Sequence, residues 1–280
     1  MPAPIDARAD AGRVQRVVVT RPEPEATRWV QALRERGWTA DAWPLLRIAD
    51  PHTGPERDRL AHWRKAWTSQ DALMFVSAAA VQRFFADTLS PDNGSTRFWA
   101  PGPGTARALS QALWPLGIGE DRIDMPPREA SQFDSEHLWP VIAGQVQPGR
   151  RLLVVRGASE GGADGSLPGQ GREWLIERCR AAGVEVQACV AYRRELIEPG
   201  PADFSRLRDF TGRGQVWLIS SSEALQALQG HWPLGARAAA LVTHPRIAEA
   251  ARLLGFAEVV QARPALADVM RALESWNGSP

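Results

Sequence analysis

Apolar and polar positions come in a repeating order along the chain. Short apolar runs end in polar or glycine-bearing turns, and each turn opens a longer stretch whose apolar residues follow the i, i+3, i+4, i+7 spacing of a helix. The first set is a buried strand at Val17 to Val19, a turn at Arg21-Pro22 and a helix with Ala26, Trp29, Val30 and Leu33 on one face, closed by Gly37 as its C-terminal cap. One strand then ends near WPLLRI, and the Pro/Gly-rich ADPHTGPERD leads into a helix over 59–67. ALMFVSAAAVQRFF reads as a strand ending at Ser77 and a helix with Val81, Phe84 and Phe85 on one face. FWAPGPGTARALSQAL reads as a strand, a Gly-Pro-Gly turn and a helix from Thr105 with Ala106, Leu109 and Leu113 inward. SQFDSEHLWPVI starts a helix with Asp134 or Ser135 as N-cap.

From Arg151 the same parts return. RRLLVVRG is a strand ending at Arg156-Gly157, followed by a Gly-rich loop, the helix REWLIERCRAAG closed by Gly183, and the strand EVQACVAYRRE. QVWLISSSEALQAL supplies a strand ending at Ser221 with a helix after it, AALVTHPRIAEAARLLGF a strand, turn and helix, and AEVVQARPALADVMRALES the last strand and helix. Strands alternating with helices predict an α/β protein with parallel sheets built from right-handed crossovers. Arg21 corresponds to Arg156, Gly37 to Gly183, Ser77 to Ser221 and Thr105 to Ile247 at similar spacings, which suggests a duplicated unit; a cut between linear halves would fall near residue 147.

Composition narrows the function classes. The chain has 280 residues, 44% hydrophobic and 23% charged, enough for one or two ordinary cores. Lys+Arg and Asp+Glu number 33 and 32, so the net charge of +1 lacks the basic excess of a phosphate-binding nucleic-acid partner. Residues 1–13 read as a disordered lead without a signal-peptide core, and no apolar run is long enough for a membrane span, so a cytoplasmic protein is expected. Cys179 and Cys189 lack metal-ligand spacing, and His52, His62, His137, His231 and His244 are scattered, so no metal site is expected. P-loop, GxSxG and HExxH motifs are absent, and the Gly-rich RGASEGGADGSLPGQGR lacks GxGxxG directly after its strand.

In open parallel sheets, ligands bind beyond the carboxyl ends of the strands, where helix N-termini aim free N–H groups outward. The residues there are Arg21, Ser77, Gly102, Thr105, Arg156, Gly157, Ser221, Ser222, His244, Arg246 and Ile247. Hydroxyls and bare amides in that place suit a carboxylate or phosphate ligand, although each Ser or Thr taken singly also serves as a helix cap. Tyr192, the one tyrosine, stands just past a small, apolar strand run and can act as proton donor, hydrogen-bond anchor or a partly buried packing residue.

The ordered set VVVTRPEPEATRWVQALRERG, ALMFVSAAAV, PGPGTARAL, FDSEHL, LLVVRG, GREWLIERCRAAGVEV with VAYRR, WLISSSEAL and LVTHPRIAEAARLLGF resembles the uroporphyrinogen-III synthase family, from Val14 to Leu273. The resemblance implies two doubly wound, flavodoxin-like α/β domains joined by two linker strands, one domain formed by 1–46 and 194–280 and the other by 47–193. It implies a lyase that dehydrates hydroxymethylbilane, inverts ring D through a spiro intermediate and closes uroporphyrinogen III without cofactor. It also implies a monomer that takes the bilane by hand-over from hydroxymethylbilane synthase. Tyr192 matches the family's linker-strand tyrosine, placed to assist loss of the hydroxyl, and Ser77, Thr105, Ser221 and Ser222 match its turn hydroxyls. HPRIA departs from the family's Gly-x-x-Thr-Ala turn, so Arg246 or free amides take the place of a hydroxyl at Ile247. A non-catalytic two-lobed small-molecule binding or sensing protein is the alternative.

Overall fold

A computed structural model of the chain describes residues 13–87, 94–127, 129–130, 132–159 and 170–278. The Gly-rich stretch after Ser159 and the N-terminal lead read from the sequence lie outside the described residues. In chain order the elements are β1 (Arg16–Val19), α1 (Glu25–Arg34), β2 (Ala40–Ala42), β3 (Leu46–Ala49), α2 (Gly54–Ala66), β4 (Ala72–Phe75), α3 (Ala78–Phe84), β5 (Arg97–Trp99) and α4 (Pro103–Leu113). They continue with β6 (Ile123–Asp124), α5 (Ser135–Ile142), β7 (Arg151–Ser159), α6 (Gln170–Ala181), β8 (Glu185–Leu196), α7 (Phe204–Phe210), β9 (Gln215–Ile219), β10 (Ala239–Val242), α8 (Pro245–Leu254), β11 (Glu258–Gln261) and α9 (Leu266–Gly278).

The chain groups into two compact units, Met1–Arg47 with Leu196–Pro280, and Ile48–Glu195. It passes from one to the other within β3 and again at the end of β8, neighbouring strands in one sheet. The first unit holds a sheet of order β11-β10-β9-β1-β2, and the sheet of the second runs β3-β8-β7-β4-β5-β6. The β1–β2, β1–β9, β9–β10 and β10–β11 pairs are parallel, as are β4–β5, β4–β7, β5–β6 and β7–β8. β4 and β10 are apolar runs because helices cover both faces of a parallel sheet, which buries Leu73, Met74, Phe75, Ala240, Leu241 and Val242.

Written in corresponding order, β11-β10-β9-β1-β2 and β6-β5-β4-β7-β8 match strand for strand in sheet order. Each sequence pair therefore holds equivalent ground: Arg21 follows β1 as Arg156 ends the regular part of β7, Ser77 follows β4 as Ser221 follows β9, and Thr105 and Ile247 open α4 and α8. The repeat is linear in sequence, yet each compact unit takes strands from both halves. Gly37 and Gly183 close α1 and α6 with the same pair of bonds: Gly37 N to Arg34 O and Trp38 N to Leu33 O, against Gly183 N to Arg180 O and Val184 N to Cys179 O. Both glycines have φ near +80°, where a β-carbon is strained.

Four local expectations need correction. Where one strand is expected to end near WPLLRI there are two: β2 ends at Ala42, just before it, and β3 begins at Leu46 within it and joins the other sheet, with Pro44, which lacks the N–H a ladder requires, between them. β7 continues beyond Gly157 to Ser159, since the long β8 offers Tyr192, Arg193 and Arg194 as partners. The segment after Ser221 forms a 3₁₀ turn over Ala224–Leu228, not an α-helix. α2 starts at Gly54, ahead of the expected 59–67, because Thr53 accepts from Glu56 N and Pro55 fits the first turn.

Candidate functional site

Strand order reverses direction between β4 and β7 in the second unit and between β1 and β9 in the first; at such switch points the helices leave on opposite sides and open a crevice beyond the strand ends. In the second unit Ser77 stands in the turn after β4, and Arg156 and Gly157 lie beside it within the extended β7. Ser77 is extended, with φ −164°, and caps the short α3, its Oγ accepting from Ala80 N at 3.2 Å. The same Oγ lies 3.1 Å from the Tyr192 hydroxyl.

A β-bulge makes this meeting possible. Along β7 and β8 the register runs Arg156↔Val190 and then Gly157↔Tyr192, so Ala191 is the extra residue and Tyr192 is re-aimed. A β-carbon on Gly157 would stand 2.4 Å from Tyr192 Cε2 and Cζ and 2.8 Å from its hydroxyl oxygen; the ring rests on the glycine backbone. Tyr192 is only 3% exposed, packed in the second unit's core with Phe75, Val155 and Cys189. Burial pushes the Cys179 thiol up to about 11 and the Cys189 thiol to about 12, so neither is a thiolate nucleophile at neutral pH.

Next along the sheet, Gly102 caps α4 and Thr105 is buried in its first turn. Gly102 has no room for a side chain: its β-carbon would come 2.9 Å from Phe133 Cβ. Phe133 precedes the cap of α5, Asp134, which accepts from His137 N at 2.9 Å. Burial alone would raise the Asp134 carboxyl, but the His137 backbone and side-chain bonds outweigh it and hold the group below its usual range.

The first unit presents the equivalent turns. Arg21 donates from Nη1 to Glu25 Oε2 at 3.0 Å and lies 4.0 Å over the Trp29 ring, so α1 fixes the guanidinium in place. Its Nε is buried without a hydrogen-bond partner among the described residues. Ser221 and Ser222 lie in the turn after β9, Ser221 half-buried and Ser222 exposed. His244 is the N-cap of α8, its Nδ1 accepting from Arg246 N at 3.2 Å. That bond requires an unprotonated Nδ1. Arg246 is exposed, while Ile247 is 6% exposed and packs in the core with Trp217 and Ala248; what this turn offers outward is backbone and Arg246.

Ser77 and Gly157 therefore both touch Tyr192 in the second unit, and Gly102 and Thr105 stand at the start of α4, after the next strand of its sheet. Arg21, Ser221, Ser222, His244, Arg246 and Ile247 belong to the first unit. The sequence reading missed the neighbours that fix these groups. Glu25 and Trp29, four and eight residues after Arg21 on α1, carried a helical signal; Phe133 against Gly102 carried none. At the opposite, N-terminal ends of the strands are two pockets of mixed lining, of about 480 Å³ with Arg13, Arg213, Gln215 and Glu258, and of about 250 Å³ with Asp71, Arg97 and Trp99. In the latter Arg97 is spent on Asp124, with bonds of 3.0 and 2.6 Å. Among the described residues no group of His, Cys, Asp and Glu could hold a metal ion, and no helix is long and apolar enough to cross a membrane.

Residues 27–270 match the family model described as uroporphyrinogen-III synthase HemD. A uroporphyrinogen-III synthase of Salmonella typhimurium is 30% identical over 272 residues, 92% of this chain and 99% of that protein. Two crystal structures share the fold. A uroporphyrinogen III synthase variant from Thermus thermophilus is 18% identical, with TM-score 0.53, covering 93% of this chain and 98% of that one. A uroporphyrinogen-III synthetase from Helicobacter pylori is 12% identical, with TM-score 0.54, covering 93% and 99%.

Proposed function

The chain belongs to the uroporphyrinogen-III synthase family, and on that premise we propose that it acts as a lyase on hydroxymethylbilane in tetrapyrrole biosynthesis. The reaction removes the terminal hydroxyl as water, inverts ring D through a spiro intermediate and closes uroporphyrinogen III. The observation that carries the reading is the Ser77–Tyr192 hydroxyl pair at a sheet switch point in a chain matching the family over 27–270. The pyrrole nitrogens stabilise the cation left by the departing hydroxyl, so the protein has two tasks: to supply a proton to that oxygen and to hold the bilane in the bend that directs attack to the substituted carbon.

For the first task the Tyr192 phenol is the proton source. For the second, the carboxylates of the bilane are drawn, in the second unit, to the first turn of α4 and to Arg156, and, in the first unit, to the Ser221 and Ser222 hydroxyls and the cations Arg21 and Arg246. Helix N-termini favour negative charge through unpaired amides and the helix dipole. The enzyme works as a cytoplasmic monomer that receives the bilane from hydroxymethylbilane synthase.

Incubation with freshly made hydroxymethylbilane tests the reading: the type III isomer is expected, and exclusive type I product, the outcome of unguided closure, rejects it. Tyr192→Phe is expected to lower turnover with the fold intact, read by circular dichroism beside the rate; wild-type turnover removes Tyr192 from the mechanism.

A further inference from the structure

The Ser77–Tyr192 contact has a direction that hydrogen-bond accounting fixes. Ser77 Oγ has two lone pairs and one proton. One lone pair is taken by Ala80 N–H at 3.2 Å. Two arrangements are left for the 3.1 Å contact with the phenol. If Ser77 donates, the Tyr192 proton has no acceptor, because the phenol has no other hydrogen-bond partner among the described residues and the residue is 3% exposed. A buried donor without a partner is strongly disfavoured. If Tyr192 donates, both lone pairs of Ser77 are filled, the phenol is satisfied, and one hydrogen is left over: that of Ser77, a partly exposed residue at the mouth of the turn.

On this ground, and resting on the dehydrative reading above, we infer that Ser77 is the catalytic residue that delivers the proton to the departing hydroxyl, and that Tyr192 is the positioning residue that donates into it from behind. The C–O bond of the hydroxymethyl group breaks as its oxygen takes the Ser77 proton and leaves as water. Ser77 takes the Tyr192 proton in the same motion, and the phenol is restored by the proton that ring D releases when the macrocycle closes. Nothing is oxidised or reduced. Gly157 is the floor of this relay: its bare backbone lets the ring lie where the hydroxyl reaches Ser77.

The test combines kinetics with a signal that does not depend on turnover. Ser77→Ala is expected to lower kcat roughly a hundredfold with KM little changed, the loss typical of a positioned acid. Tyr192→Phe, which leaves the outer hydroxyl in place but removes the proton that reloads it, should cost nearly as much as Ser77→Ala. In the Ser77→Ala background Tyr192→Phe should add less than about twofold, because the phenol acts only through the serine. Equal Tyr192→Phe losses in both backgrounds would overturn the order of the relay and make the phenol itself the group in contact with substrate. Ser77→Thr should return kcat to within about threefold. Ser77→Asn keeps an acceptor for Ala80 N–H and hence the cap, but has no hydroxyl, so it should melt like wild type and turn over slowly; full activity in Ser77→Asn would reduce Ser77 to a helix cap. Since Tyr192 is the single tyrosine of the chain, ζ-carbon-13 tyrosine gives one resonance, expected to move in Ser77→Ala and return in Ser77→Thr. A line indifferent to Ser77 would overturn the hydrogen bond, whereas a moving line in a protein that yields only type I product would sink the dehydrative reading and the catalytic role with it.

Discussion

Gly157→Ala is the sharpest probe of the site because the structure sets its size. The added carbon would stand 2.4 Å from Cε2 and Cζ of Tyr192, about 1 Å inside ordinary carbon–carbon contact. The ring is packed on its other sides in the second unit's core, so relief requires the phenol to swing by about that distance or β7 and β8 to part. Overpacking of this kind costs roughly 1–3 kcal/mol. A swing also lengthens the 3.1 Å bond to Ser77 and leaves a buried hydroxyl unpaired, a further ~1 kcal/mol. Together these lower Tm by roughly 5–10 °C, measured by circular dichroism or calorimetry, and lower kcat at least as far as Tyr192→Phe does. Tyr192→Ala made in the Gly157→Ala background should destabilise less than it does in wild type, because the new methyl then has room. If Gly157→Ala melts and turns over like wild type, the ring does not rest on the glycine and the bulge at Ala191 has no part in aiming it.

Two other predictions concern charge and burial. Arg193 donates to Glu56 at 3.1 and 2.6 Å, and these bonds outweigh burial and hold the Glu56 carboxyl below its ordinary 4.5. A depressed carboxyl contributes stability above its unfolded pKa and loses it as pH falls through the folded value. Urea stability should therefore drop more steeply from roughly pH 6 to pH 3 in wild type than in Glu56→Gln; parallel curves would show that the pair contributes nothing to acid unfolding. Cys179 and Cys189, raised to about 11 and about 12 by burial, should resist a thiol reagent near pH 8 until denaturant is added, and rapid labelling of the native protein would contradict their place in the core.

Much of this was legible in the sequence because it follows from periodicity and local chemistry. The apolar runs of β4 and β10, the α1 stripe and the caps at Gly37 and Gly183 are local signals, as is the cap at Asp134. The helix starts at Ser77, Gly102 and His244 were readable by the same logic, one element at a time, whereas Arg156 and Gly157, expected at a strand end, lie inside β7. What was not legible is non-local. The register shift at Ala191, the approach of Gly157 to Tyr192 and of Gly102 to Phe133 depend on which strands and loops pair, and no spacing within one segment encodes that. The change of sheet between β2 and β3 falls around Pro44, whose missing N–H a hydrophobicity pattern does not register. The 3₁₀ turn after Ser222 keeps the apolar residues expected of a helix, with Ala224, Leu225, Ala227 and Leu228 buried, so the pattern reported burial correctly and geometry wrongly.

The interleaving of strand order with chain order also governs when each unit can fold. β1 lies between β2 and β9, and the Thr20 hydroxyl donates to Leu218 O across 198 residues. As the chain leaves the ribosome, all of 48–195 is synthesised before β9 exists, so the inserted unit can close its sheet while the founding strand of the other waits without its central neighbour. Closure of so long a loop costs entropy before any contact repays it, and that cost falls if the intervening residues have already collapsed. Pulse-labelled hydrogen exchange during refolding should find β4 and β7 amides protected ahead of those of β1 and β9.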